Sequence, residues 1–381
     1  MGSSSDFFEL DQPETIQKWE RELHYEIAMR TPFMAKKYGF IGDKPTFLCQ
    51  KRSEVWRDGG TQATVTLRRP LRGAPAFGNQ TLRGTETSPP TATFKWQINQ
   101  VRKATQILGR ITKKRVTWNV WNESLDALGT YFAQVTESAA MLHGAGVTVD
   151  LRTEHEWYHD GSNLGFTLSN APRIPDTKHI LRIGHTSDTD DTNVGADPAA
   201  TLDLDTFSEL KARAKTLPIP IRPAMVHGKE LYVFFAHTYA LRHMKEDSKW
   251  LAFMKATIEG GAINGNPVWS GALGIWDGVL IVEDFYVPPG ISATSTRVAN
   301  ARRNIFCGAQ SFVLGVAKEY DKDNMWQNET ESWDYANNKG VAAHSLLGLK
   351  CPFYEVEEQD TTDDYGKLVC VSYAQELNTS L

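Results

Sequence analysis

Residues Lys51 to Arg115 constrain this chain more than any other stretch. They carry fourteen Lys/Arg against three acids, Glu54, Asp58 and Glu86, a local net charge of +11. The whole chain is −5, so the remainder carries −16. A basic segment on an acidic body suits self-association, because one copy's segment can lie on the next copy's body. Opposite potentials of this kind steer contact and set register more than they add affinity. Within the segment, Ala63, Val65 and Leu67 alternate with Gln62, Thr64, Thr66 and Arg68. Ala92, Phe94, Trp96 and Ile98 alternate in the same way with Thr93, Lys95 and Gln97. Period two on both limbs predicts a hairpin of two strands, each with one apolar face. About twenty residues rich in Gly and Pro separate the limbs, including Pro70, Gly73, Pro75, Gly78, Gly84, Pro89 and Pro90. A connection that long predicts a protruding functional loop. Two strands alone are unstable in water, so the apolar face needs a cover, and a neighbouring subunit is the expected one.

A sustained helical stripe follows, from Thr117 to His143. Trp118, Trp121, Leu125, Leu128, Phe132, Val135, Ala139 and Leu142 recur at alternating steps of three and four, and Gly144 is the expected stop. Such a helix spans roughly 40 Å. Before the hairpin, Ile16, Trp19, Leu23 and Ile27 predict an amphipathic helix over 14–30, either a docking arm or an ordinary packed helix. After the long helix, 150–205 reads as irregular and polar, and 203–215 as a short helix. The prolines at 218, 220 and 223 mark an extended linker. Strands are expected over 231–236, 278–287, 341–356 and 367–374, with a helix over 248–259 and an acidic turn from Asp360 to Gly366.

At 381 residues the chain is long enough for two or three subdomains. Hydrophobic content of 41% with eleven Trp indicates a folded protein. No apolar run is long enough for a membrane helix, and Met1–Asp6 do not start a secretory signal. Cys49, Cys307, Cys351 and Cys370 are widely spaced and read as buried small hydrophobes in a reducing compartment.

The order of these parts resembles the N4-like phage major capsid proteins, which have the HK97 coat fold. Leu71-Arg72-Gly73 and Leu82-Arg83-Gly84-Thr85-Glu86 are similar to the family's Leu-x-Gly pair at the hairpin tip, and Ile98-Asn99-Gln100-Val101-Arg102 to the returning limb. Leu231 to His237 with Leu241, Lys245 and Trp250 resembles the strand and helix opening the A-domain, and Asn266 to Gly274 its Asn-Pro loop. Gly308-Ala309-Gln310-Ser311, Trp333 to Asn337 and Gly340-Val341-Ala342 resemble the C-terminal part, with Ala336 where a glycine is expected. The resemblance covers most of 55–145 and 230–356, while 150–225 matches nothing in the family.

The resemblance implies an α+β fold: N-terminal arm (1–50), E-loop hairpin (51–108), P-domain (109–225 and 321–381, with spine helix 117–143) and A-domain (226–320). It implies a structural subunit without enzymatic activity or cofactor that self-assembles, as hexamers and pentamers, into an icosahedral head enclosing DNA. Implied partners are further copies of the chain, scaffold, portal and decoration proteins, and packaged DNA contacted non-specifically, with no membrane. The implied location is the virion, after assembly in the host cytoplasm. Arg68, Arg69, Arg72, Arg83, Lys95 and Arg102 would form the E-loop contact, facing acids of a neighbour such as Asp360, Asp363 or Asp364.

Two other chemistries have residues to recommend them. His155-Glu156-Trp157-Tyr158-His159 is an HExxH, which on a helix holds zinc through the histidines while the Glu polarises water, and would make a zinc hydrolase. The extended pattern fails, because Ser162 and Gly165 stand where Gly and a third His are needed, and the segment lacks an apolar helical flank. Alternatively the basic segment would make a nucleic-acid-binding oligomer, but Phe94 and Trp96 share a strand face that excludes Lys95. Asp188-Thr189-Asp190-Asp191 lacks the glycine and Glu of a calcium loop and reads as solvated. No Walker A, GxGxxG or GxSxG sequence occurs, and His227, His237 and His344 read as structural.

Overall fold

The computed structural model describes residues 33, 39–52, 61–68, 75–84, 86, 91–107, 120–148, 168–226, 228–252, 274–317, 326–335, 337–356 and 361–376. Among these the strands form three sheets. The first contains β1 (Ile41–Gly42), β2 (Cys49–Arg52), β13 (Phe312–Val316), β15 (Asn338–Lys350) and β14 (Gln327–Trp333) in that order, with β5 (Asn99–Ile107) on the opposite edge of β15. The second runs β6 (Ile180–Arg182), β18 (Lys367–Tyr373), β12 (Arg297–Cys307), β8 (Lys229–Ala236), β10 (Val279–Glu283), β9 (Gly274–Trp276). Here β7 (Ala224–Val226) pairs β8, and β11 (Pro289–Ile291) pairs β12. The third is β17 (Thr361–Asp364), β16 (Phe353–Val356), β4 (Thr91–Gln97), β3 (Gln62–Arg68). The helices are α1 (Val120–Ala145), α2 (Thr192–Ala196), α3 (Leu204–Thr216) and α4 (Thr238–Glu246).

The helical stripe does what its period dictates. Leu128, Phe132, Val135, Ala139 and Leu142 of α1 are buried in one core with residues of the first two sheets, including Val341, Leu314, Ile305 and Phe235. Gly144 is not the stop but part of the helix, where a Cβ would sit 2.6 Å from Ile305 Cδ1. The stop comes two residues later. Gly146 has φ +67°, and Val147 N donates to Leu142 O at 3.0 Å, closing a Schellman motif. Lys367, buried in β18, donates from Nζ to His143 O at 2.6 Å, placing a cation on the negative end of the helix. Buried Glu137 on α1 accepts from Phe33 N at 3.1 Å, and the Phe33 ring packs edge-on to Phe312. A second core forms where Leu204, Phe207, Leu210 and Ala214 of α3 meet Phe234, Phe306 and Leu368 of the second sheet.

Three sequence expectations need correction. Residues 341–356 are not one strand. Cys351-Pro352 ends β15, and β16 leaves for a different sheet, because Pro cannot donate to the ladder. The expected acidic turn is mostly strand: β17 pairs β16, with Tyr354 opposite Asp363, and only Tyr365-Gly366 turn the chain. The acidic run at 188–191 is not simply solvated. Asp191 is fully buried and takes Arg182 Nε at 2.9 Å, Arg303 Nε at 2.5 Å and Ile291 N at 2.9 Å. The helix at 14–30 lies outside the described residues.

Candidate assembly surface

The hairpin forms as its alternation requires, with Ala63 opposite Trp96, Val65 opposite Phe94 and Leu67 opposite Ala92. Its apolar face is covered by its own chain, not by a neighbour as expected. Ala63, Ala92, Phe94, Trp96 and Ile98 share a core with Val313, Tyr354 and Tyr365. The reason is β16, which pairs β4 and turns two strands into a four-stranded sheet. Phe94 stacks on Trp96 at 5.4 Å and meets Phe353 edge-on at 5.9 Å. Gly315 makes room, since a Cβ there would lie 2.5 Å from Trp96 Nε1. Lys350 Nζ sits over the Phe353 ring at 4.9 Å and donates to Lys95 O. Asn170 bonds both the N and the O of Gln97, each at 2.9 Å, pinning the corner where β4 becomes β5. Burial and the neighbouring Tyr365 push the Tyr354 phenol up to about 12.

Three of the expected contact charges stay open, one on the loop (Arg83) and two on strands of the base (Lys95 on β4, Arg102 on β5). Arg83, Lys95 and Arg102 are exposed and make no ion pair among the described residues. Arg68 is in β3, but its side chain, like Arg69 and Arg72, lies outside the described residues. At the loop tip Phe77 N donates to Gln80 Oε1 and Gly84 N to Glu86 Oε2, and the Phe77 and Leu82 side chains are 71% and 67% exposed.

The acids named as their counterpart are not brought together on a surface. Asp360 lies outside the described residues and Asp363 is half-buried. Asp364 is buried in its own chain, where its carboxylate accepts from Asp176 N at 2.7 Å and pairs with Arg173 at 3.5 Å. Exposed acids stand elsewhere, at Glu329 and Glu331 on β14, and neither makes an ion pair among the described residues. Sequence reasoning missed them, although the alternation of Glu329, Glu331 and Trp333 along a strand was a usable signal.

The remaining candidates divide in the same way. His155, Glu156, His159 and His227 lie outside the described residues. Buried His237 caps α4, its Nδ1 accepting from Tyr239 N at 3.1 Å, and His344 is buried in β15. Buried His179 has no hydrogen-bond partner on either ring nitrogen among the described residues, and burial pulls its pKa down against the opposing pull of Asp364. All four cysteines are free and buried. Burial raises the Cys49, Cys307 and Cys370 thiols and pushes Cys351 up to about 11, so the thiolate forms are disfavoured. Among the described residues no group of three His, Cys, Asp or Glu can hold a metal, and no helix is long and apolar enough to cross a membrane.

Comparison with known proteins bears directly on these open charges. The model of a phage capsid protein family matches residues 9–376. The major capsid protein of Pseudomonas phage KPP25 is 28% identical over 341 residues, covering 86% of this chain and 88% of that protein. Among solved structures, the capsid of Ralstonia phage GP4 superposes with a TM-score of 0.71 at 23% identity, over 99% of this chain and 100% of that one. The Cyanophage Pam1 capsid gives 0.68 at 21%, over 92% and 94%. The head of Helicobacter pylori bacteriophage KHP40 gives 0.62 at 14%, over 91% and 92%. The fold is that of HK97-type phage capsids over nearly the full length. A chain whose basic hairpin is anchored at its base, and which matches a capsid family along almost its entire length, belongs to the phage capsid protein family and is a structural component of the phage head shell.

Proposed function

We propose that this subunit assembles with copies of itself, as hexamers and pentamers, into a closed icosahedral head around DNA, in the manner of the N4-like major capsid proteins. Residues 51–108 act as the E-loop, reaching over the adjacent subunit. Residues 1–50 act as an arm, 109–225 and 321–381 as the P-domain, and 226–320 as the A-domain. The observation that carries this reading is the hairpin's division of labour. Its base is locked into its own subunit by β16 and Asn170, while Arg83 on the loop, Lys95 on β4 and Arg102 on β5 are exposed and make no ion pair among the described residues. An isolated monomer gains nothing from presenting such open charges, whereas a tiled shell gains register. Scaffold, portal and decoration proteins are further partners of this reading, and packaged DNA is contacted without sequence preference. The test is particle size, by light scattering and negative-stain microscopy of the full chain at low and moderate salt. Closed shells or rings of five and six support it. A strictly monomeric or dimeric species at high concentration overturns it.

A further inference from the structure

The C-terminal end of α1, the 173–179 segment and the β17–β18 turn meet at one buried point. His143 O accepts there from Lys367 Nζ at 2.6 Å, and Ala145 O from Arg303 Nη1 at 3.4 Å. Gly146 lies so close to the segment that a Cβ would be 2.5 Å from Arg173 O. Asp364 ties the segment to β17, its carboxylate taking Asp176 N at 2.7 Å and Arg173 Nη1 at 3.5 Å. Among these groups sits His179, 2% exposed, at the end of a 3₁₀ turn (Thr177–His179) that leads into β6. Neither of its ring nitrogens has a hydrogen bond among the described residues. The charges acting on the ring are Asp364 and Asp363 of β17, Asp176 just before its own turn, and Lys367 of β18. Around them, Arg173 pairs with Asp364, the Cys351 thiol lies by Lys367, and Arg213 of α3 holds the carbonyls of Thr177 and the exposed Lys178.

We infer that this junction is a proton-operated latch between α1 and the β17–β18 turn, closed while His179 is neutral and opened when its ring is charged. A neutral ring without hydrogen bonds gives the closed fold nothing that an apolar side chain would not give. What distinguishes histidine is the proton it takes up near pH 6.5. Once charged, it carries two N–H donors into a site where neither has an acceptor, and a buried ion left so is strongly disfavoured. The new charge acts in two directions. It attracts Asp364, drawing that carboxylate away from Asp176 N and Arg173. It repels Lys367, the cation on the last turn of α1. Both ties weaken together, leaving Arg303 on Ala145 O. Burial opposes protonation of the closed state most, Asp364, Asp176 and Asp363 favour it, and Lys367 opposes it, with the balance holding the pKa below its ordinary value. The open state has the ordinary value of about 6.5. Closure is therefore intact above that pH and is lost as pH falls from there through the lower closed-state value. The latch belongs to the single subunit and does not depend on self-assembly.

The experiment is amide hydrogen exchange of the full chain at about pH 7.5 and about pH 5, corrected for the intrinsic effect of pH on exchange. Exchange over 140–148, 173–179 and 361–367 should speed up by about tenfold or more at the lower pH, while β8 keeps its protection. In His179→Gln, which is polar but cannot take a charge, that step should vanish and the pattern at the higher pH should be kept. Lys367→Met removes the cation from His143 O and should speed exchange over 140–148 already at the higher pH. The same acid step in His179→Gln overturns the latch, and so does a rise spread evenly over the whole fold. If His179→Gln does not fold, His179→Leu suits the apolar site and takes its place, with the same two outcomes. A wild-type chain whose three segments keep their protection at the lower pH overturns the proposal without any variant.

Discussion

The buried charges around Asp191 and the exposed charges of the hairpin are handled in opposite ways. At Asp191, one carboxylate neutralises part of two arginines and caps a backbone N–H, joining β6, β11 and β12 with every partner inside one chain. In the hairpin and on β14, Arg83, Lys95, Arg102, Glu329 and Glu331 stand in solvent without ion pairs among the described residues. Charges removed from water must be matched within the subunit or the fold is lost. Charges left in water cost the monomer almost nothing and remain available to other copies. The first kind holds the subunit together, and the second suits joining subunits.

Mutations can break this contrast. The largest expected effect is Asp191→Ala, which strands two buried guanidinium groups and should cost about 3–5 kcal/mol in urea unfolding. A loss under 1 kcal/mol would mean that the cluster is not structural. Next is Trp96→Ala, which opens the core that fastens the hairpin base. A cost of about 3 kcal/mol is expected, together with faster proteolysis between β3 and β4. Unchanged cleavage would show that the base is not held by that core.

A pH test sharpens the same contrast on the buried side. The folded state keeps His179 neutral, with its pKa below the ordinary 6.5, while the unfolded chain takes up the proton at about 6.5. Its contribution is therefore intact above that pH and is lost as pH falls from 6.5 through the lower folded-state value. Melting temperature should drop between pH 7.5 and 5, and His179→Leu should flatten that dependence. An equally steep profile in the variant would assign the effect to the neighbouring carboxylates. The smallest effect on stability belongs to Arg83→Glu with Lys95→Glu, within about 0.5 kcal/mol of wild type. The same pair should strongly change the salt dependence of assembly, and a subunit that unfolds more readily would show that these charges also serve the monomer.

Much of the fold was legible because its signals are local. The two limbs of the hairpin follow from period two, and α1 from steps of three and four. The short helix expected over 203–215 is α3, and the strand expected over 231–236 lies within β8. The helix end was misplaced by two residues, since Gly144 and Gly146 look alike in sequence. Only φ and the close approach of Ile305 tell a helical packing glycine from a stop.

The sequence by itself determined the two periodicities, the separation of basic segment from acidic body, and the ordered motifs that pointed to a phage shell. Each depends on residues a few positions apart. Tertiary structure alone decided what covers each surface. It gave the hairpin's apolar face to β16, more than 250 residues away along the chain. It buried Asp364 and Asp191, and it laid Ala104 of β5 beside Ala342 of β15. Strand partners and the burial of an acid depend on closure between distant segments, and local spacing carries no record of which distant strand will arrive.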